Sequence, residues 1–261
     1  MRTYLKFYKY HGCGNDFVLA WEEKCTDYSR IAKKICDRRL GVGADGLIVC
    51  SDKPPSMRIF NRDGSEASMC GNGIRCVAKL LIEKGVADVG ESFHIMTLDG
   101  QKTVRVGDNG DVEVDMGAPR FDPGGVMREV EIGGRKTIFY TVFVGCAHAV
   151  VLCDDIFREI LFGTGEKIST SELFSQRINV DITRVESRSS VTVRTFERGV
   201  GFTAACGTGA CAVYAVLRKL RLCDEELEVK YELGTLLVSG KDKIRLCGEA
   251  VRVFCGEWEE M

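Results

Sequence analysis

Two segments of this chain carry the same group of reactive residues: Ser68-Met69-Cys70-Gly71-Asn72-Gly73 and Ala204-Ala205-Cys206-Gly207-Thr208-Gly209. Each sets a cysteine before a glycine-rich triplet and an apolar run with the spacing of a helix. A thiol at a helix N-terminus has its thiolate form favoured by the positive end of the helix dipole. The N–H groups of Gly71, Asn72, Gly207 and Thr208 are positioned to bind a carboxylate or a developing enolate. Two such thiols suit a reaction in which one removes an α-proton and the other delivers a proton to the opposite face, inverting the centre without pyridoxal phosphate. An amino acid α-proton is far less acidic than a thiol, so that chemistry calls for exclusion of water and a low local dielectric.

The elements that must hold these thiols follow from a duplication. With the cysteines aligned, Arg58 matches Arg194, Phe60 matches Phe196, Arg62 matches Arg198, Val77 matches Val213 and Leu81 matches Leu217. Gly12-Cys13 with Val18-Leu19 echoes Gly145-Cys146 with Val151-Leu152, and Leu98-Asp99-Gly100 echoes Glu232-Leu233-Gly234. Short strands dominate, read over 17–21, 47–50, 57–61, 92–98, 102–106 and 112–116 in the first half. In the second half they are read over 128–132, 137–144, 149–153, 191–197, 226–232, 235–238 and 250–254. Helices are read over 29–40, 76–84 and 210–220, with a further one after Ser169, where Ser-Thr-Ser-Glu has the form of a capping box. The runs after Cys70 and Cys206 are apolar on all sides and must be buried on all sides. The expected fold is therefore α/β of the α+β kind: two homologous domains, each a curved, mostly antiparallel sheet wrapped around a central helix. The domains are read as 1–116, completed by a strand at 250–261, and 117–250, joined near Met116–Pro123.

Bulk composition narrows the function classes. The chain has 261 residues, 45% of them hydrophobic and 28% charged, and a formal net charge of −2. No basic run exists, so nucleic acid and anionic membrane are not expected partners. With no apolar leader and no long apolar stretch, a cytoplasmic location is expected. The thirteen cysteines are odd in number, lack CxxC pairs and stand in a long chain, which speaks against a disulfide scaffold and against zinc or iron–sulfur sites. Cysteines outside the two motifs, such as Cys36, Cys50, Cys223 and Cys247, are read as small buried apolar side chains. His11, His94 and His148 are too scattered in sequence to suggest a shared site.

The motifs together resemble the diaminopimelate epimerase family over nearly the whole chain. They are His11-Gly12-Cys13-Gly14-Asn15-Asp16-Phe17, Gly41 to Asp45, Arg58 to Glu66 leading to Cys70-Gly71-Asn72-Gly73, and Glu197 to Gly201 leading to Cys206-Gly207-Thr208-Gly209. The neighbouring proline racemase family has histidine where this chain has Asn72. The resemblance implies the family's fold, Cys70 and Cys206 as acid/base thiols, and no cofactor or metal. It implies Asn15, Asn72 and Glu197 around the reacting centre, and Asn61, Asn179 and Arg198 at the distal end of a long amino acid substrate. Arg198 can pair there with a carboxylate through two bonds. A small-molecule amino acid is the expected partner, and a homodimer is left open as the assembly. Three positions depart from the family pattern. Cys146-Ala147-His148 replaces Asn-Pro-His, Phe202 stands before Thr203 where glutamate is usual, and Gly46 stands where some members have glutamine. The implied activity is interconversion of LL- and meso-diaminopimelate. The alternatives are the same chemistry on lanthionine, lysine or histidine, or a binding or redox-sensing protein.

Overall fold

The computed structural model describes residues 4–24, 26–122 and 126–259. The expected join ends at Pro123, which lies outside them. The chain divides into two units: one runs up to Val114 and resumes at Gly248, and the other spans Asp115–Cys247.

The first unit opens with β1 (Tyr4–Gly12), β2 (Asn15–Trp21), helix α1 (Tyr28–Ile35), β3 (Gly46–Asp52), β4 (Pro55–Asn61) and β5 (Glu66–Ala67). Helix α2 (Gly71–Glu83), β6 (Ser92–Thr97), β7 (Gly100–Val106) and β8 (Val112–Gly117) follow. β1 is antiparallel to β2, β2 parallel to β3, and β3 antiparallel to β4. β4 meets β6 in parallel, and β6, β7 and β8 continue antiparallel. Strands β2 and β3 are covered on both faces, by α2 on one and α1 on the other, so both read as nearly unbroken apolar runs.

The second unit holds β9 (Met127–Ile132), β10 (Arg135–Val144), β11 (Cys146–Leu152), helices α3 (Ile156–Leu161) and α4 (Thr164–Ser169), and β12 (Asn179–Ser187). Then come β13 (Ser190–Glu197), β14 (Gly201–Thr203), helix α5 (Gly207–Lys219), β15 (Glu226–Tyr231), β16 (Gly234–Ser239) and β17 (Ile244–Gly248). The pairing sequence of the first unit recurs. β10 is antiparallel to β11, β11 parallel to β12, β12 antiparallel to β13, β13 parallel to β15, and β15–β16–β17 antiparallel. In the second unit β9 flanks β10. In the first, the equivalent place beside β1 is filled by the last strand, β18 (Val251–Glu259), with Tyr8 opposite Cys255.

Each unit wraps its strands around one helix. Gly71–Ala78 with Leu80 and Leu81 of α2, and Gly209–Leu217 of α5, are buried. A second hydrophobic cluster lies on the outer face of each sheet: Ile31, Ile35, Val18 and Val49 under α1, and Ile168, Val151, Val180 and Phe139 under α4. None of the helices among the described residues is long and apolar enough to cross a membrane.

Several expected elements shift. Helix α1 ends at Ile35 rather than at residue 40, because the Asp37 carboxylate accepts N–H bonds from Arg39 and Leu40 and closes a turn instead. The Ser-Thr-Ser-Glu segment starts no helix. Ser169 ends α4, and Ser171 caps a short turn through the N–H of Leu173. α2 and α5 begin at Gly71 and Gly207, so each cysteine is itself the N-cap.

The core places several thiols far from water. Burial pushes the Cys36 and Cys76 thiols up to about 12 from an ordinary value of 9. A raised value contributes stability that is complete below pH 9 and is lost as pH climbs towards 12, because only the unfolded chain ionises in that interval. At pH 10 the two thiols together should cost about 3 kcal/mol relative to pH 8, lowering Tm by roughly 6 °C or more. Calorimetry at both pH values measures this. An unchanged Tm, or an equal fall in a Cys36→Ala/Cys76→Ala variant, would refute it.

Candidate active site

In the first unit the site grows from the N-terminus of α2. Cys70 has extended backbone angles, and its Sγ accepts the Gly73 N–H at 3.4 Å, so the thiol lies over the first turn. The Asn15 carboxamide oxygen lies 3.9 Å from that Sγ and accepts Nδ2–H of Asn72 at 3.0 Å. Asn15 in turn donates to Asp45 at 2.8 Å. Asp45 and Asp16 share the Arg38 guanidinium, and Lys9 pairs with Asp16 at 2.6 Å. Desolvation works against ionisation of Asp16, yet Arg38 and Lys9 prevail and hold its carboxyl at about 2. Asn15 is therefore fixed by a braced carboxylate pair that sequence reading passed over. Sequence reading also passed over Arg75, fully buried behind the helix start. It donates to the Gly71 and Glu249 carbonyls at 3.1 and 3.2 Å. A Cβ at Gly12 would sit 2.8 Å from Arg75 Nη2, so a side chain there would displace the buried guanidinium. Asn61 stands apart from this cluster: its carboxamide bonds to Ser65 Oγ at 3.0 Å in the turn leading to β5.

The second unit repeats the cap and adds a polar chain. Cys206 Sγ accepts the Gly209 N–H at 3.4 Å and lies 3.3 Å from Thr208 Oγ1. The Cys206 carbonyl accepts from Tyr231 Oη at 2.9 Å. Thr208 Oγ1 also meets His148 Nε2 at 3.0 Å and Cys146 Sγ at 3.6 Å. His148 Nδ1 meets Asp181 at 2.7 Å, and the other oxygen of Asp181 accepts from Thr195 at 2.7 Å. Asn179 donates Nδ2–H to Cys146 Sγ at 3.2 Å and accepts the Arg198 N–H at 3.0 Å. Thr203 Oγ1 donates to Glu197 at 2.6 Å. Asn61 and Glu197 occupy the last positions of the equivalent strands β4 and β13.

The electrostatics of the two second-unit thiols run in opposite directions. Cys206, 5% exposed, is pushed well above its ordinary value by burial and then by the carboxylates of Glu197 and Asp181. Cys146 is lowered. Burial opposes its ionisation, but the adjacent His148 and the Thr208 hydroxyl outweigh it. Burial likewise opposes protonation of His148, and Asp181 and Cys146 overcome it, so the imidazole is held well above 6.5.

The structure thus joins Cys70, Asn72 and Asn15 in one cluster, and Cys206, Thr208, Asn179 and the Arg198 backbone in another. His148, Asp181, Asp45 and Arg75 are the additions, and Cys146, read as a departure from the family pattern, joins the second cluster. His148, read as isolated, is fully buried within the second cluster. Asn179 and Asp181 lie two apart on β12, which puts both on one face; that alternation was the available signal.

Comparison with known proteins decides the family. The model of the family described as "Diaminopimelate epimerase" matches residues 7–121 and 140–256. This chain belongs to the diaminopimelate epimerase family. Within it, the chain is 39% identical to the diaminopimelate epimerase of Caldanaerobacter subterraneus subsp. tengcongensis, over 98% of this chain and 100% of that one. It is 40% identical to that of Carboxydothermus hydrogenoformans, over 97% and 99%. Among solved structures, a hydroxyproline epimerase from Agrobacterium vitis superposes with a TM-score of 0.72 at 14% identity, covering 99% of this chain and 94% of its own. A likeness at that identity shows a shared fold.

Proposed function

We infer that this family member interconverts LL- and meso-diaminopimelate by proton transfer at the α-carbon between two thiols, Cys70 and Cys206. The observation that carries the reading is the duplicated cap. Both thiols are N-caps of buried helices, with Sγ 3.4 Å from the N–H three residues on. Family membership supplies the substrate class, an amino acid with a second amino acid centre, of use in lysine and peptidoglycan synthesis.

Each residue has a part in that chemistry. Burial beside Glu197 and Asp181 favours the protonated form of Cys206, so in one direction it enters as the proton donor with Cys70 as the base, and in the reverse direction the two exchange roles. The helix N-termini at Gly71-Asn72 and Gly207-Thr208 bind the α-carboxylate and stabilise the charge that builds as the proton departs. Asn15 and Asn72 orient the reacting centre, while Asn61, Asn179 and Arg198 hold the distal end. Glu197, bonded to Thr203, sets the Cys206 proton affinity.

Two observations favour a second substrate. Asn179 donates to the Cys146 sulfur, where the family pattern has an asparagine amide. Phe202, 45% exposed and edge-on to Phe196 at 5.3 Å, replaces a carboxylate. Incorporation of deuterium from D2O at the α-carbon, followed across LL-diaminopimelate, lanthionine, lysine and histidine, separates the readings. Diaminopimelate should exchange fastest by at least tenfold. A faster exchange of any of the others would overturn the assignment.

A further inference from the structure

Proton transfer by Cys70 and Cys206 makes no use of a third thiol, yet in the second unit one stands across the Thr208 hydroxyl from Cys206 with the surroundings of a nucleophile. Cys146 Sγ lies 3.2 Å from His148 Nε2, and His148 Nδ1 lies 2.7 Å from Asp181. Asp181 is itself anchored by the Thr195 hydroxyl at 2.7 Å. This is the arrangement of nucleophile, base and orienting carboxylate that activates a thiol. His148 and Asp181 are fully buried, while Cys146 is only partly buried. Asn179 Nδ2–H and Thr208 Oγ1 also face the sulfur, at 3.2 and 3.6 Å.

Cys206, Cys153 and Cys223 of the same unit sit in surroundings that oppose ionisation. Cys206 is buried near two carboxylates, and burial with Glu159 nearby pushes Cys153 up to about 11. Cys223 is likewise pushed up to about 11 by burial. Thiolate character and access govern attack on a disulfide, and in this unit they coincide at Cys146.

We propose that Cys146, held by the positioning residues His148 and Asp181, is a site of reversible S-thiolation that takes small organic disulfides. The Cys146 thiolate attacks one sulfur of R–S–S–R. A new Cys146–S–S–R bond forms as the old S–S bond breaks, and its electron pair leaves on RS⁻. His148 Nε2–H protonates that leaving thiolate, and the neutral imidazole keeps its Nδ1 bond to Asp181. No net oxidation occurs beyond that already stored in the disulfide, and a second small thiol reverses the step. The adduct places new bulk against Thr208 and Asn179. That it would stop turnover rests on the epimerase reading; that it forms does not.

The test uses the full chain, fully reduced, and 2-hydroxyethyl disulfide in modest excess at neutral pH. Aliquots are quenched with N-ethylmaleimide, and modified peptides are assigned by fragmentation. Cys146 should take the adduct at least tenfold faster than Cys206, Cys153 or Cys223, and dithiothreitol should remove it. The ultraviolet absorbance of one thiolate should vanish in Cys146→Ser and in His148→Gln, and His148→Gln should slow the adduct at least tenfold. Earlier labelling of Cys206, Cys153 or Cys223 in the wild-type protein would overturn the proposal, whether or not the variants fold. So would a folded His148→Gln protein that reacts at the wild-type rate.

Discussion

Replacing either Cys70 or Cys206 by alanine is expected to lower the rate of epimerisation by about a thousandfold or more, the scale of a lost acid or base that acts directly on the reacting carbon. Both directions should fail in both variants, because inversion needs one group to take the proton and another to return one. The fold should survive. Each thiol's cap bond is a single weak contact to sulfur at 3.4 Å, so its loss should cost at most about 1 kcal/mol. Cys50→Ala, in a fully buried position on β3, is the control. It should lose stability by cavity formation and keep its turnover. The decisive measurement is the rate from LL- to meso-diaminopimelate and back, with circular dichroism confirming the fold. Wild-type epimerisation by either Cys70→Ala or Cys206→Ala would end the two-thiol mechanism.

The second large effect separates two glycines that are equivalent in the duplication. A Cβ at Gly209 would lie 2.3 Å from Asp181 Oδ1 and 3.1 Å from Thr195 Oγ1. Asp181 is pinned by the bonds from His148 and Thr195, so making room means breaking charge-assisted bonds inside a buried cluster. Gly209→Ala should therefore cost about 3 kcal/mol and cut activity severely, since making room for the Cβ also displaces the backbone N–H that seats Cys206. At Gly73 the same Cβ would meet Ile48 Cδ1 at 2.8 Å, the end of a side chain that can rotate. There the strain of about 1 kcal/mol is offset by the greater helix propensity of alanine, also about 1 kcal/mol. Chemical denaturation of the two variants should differ by at least 2 kcal/mol. Equal stabilities would show that Asp181 is not held in place.

The sequence by itself determined the duplication, the two cysteine motifs and the two helices apolar on every side. Those features depend on local spacing and on burial over a whole surface, which periodicity records directly. It determined less about the strands that carry polar site residues. β12 holds Asn179 and Asp181 buried, residue types that strands ordinarily disfavour, so local propensity argues against the strand that the site requires. The exact helix starts were also out of reach, because a cysteine N-cap is recognised by the bond its sulfur accepts and not by its residue type.

Only the tertiary structure decided the company those residues keep. Cys146, His148, Asn179, Asp181 and Thr208 come from a strand, its parallel neighbour and a helix start, and they meet because β11 and β12 pair in register with His148 opposite Asn179. Arg75 and Glu249 are brought together by the last strand returning to β1. Contacts between residues 33 to 174 positions apart leave no trace in local pattern. Yet burial and neighbouring charge, which those contacts create, push the Cys206 thiol up and draw the Cys146 thiol down.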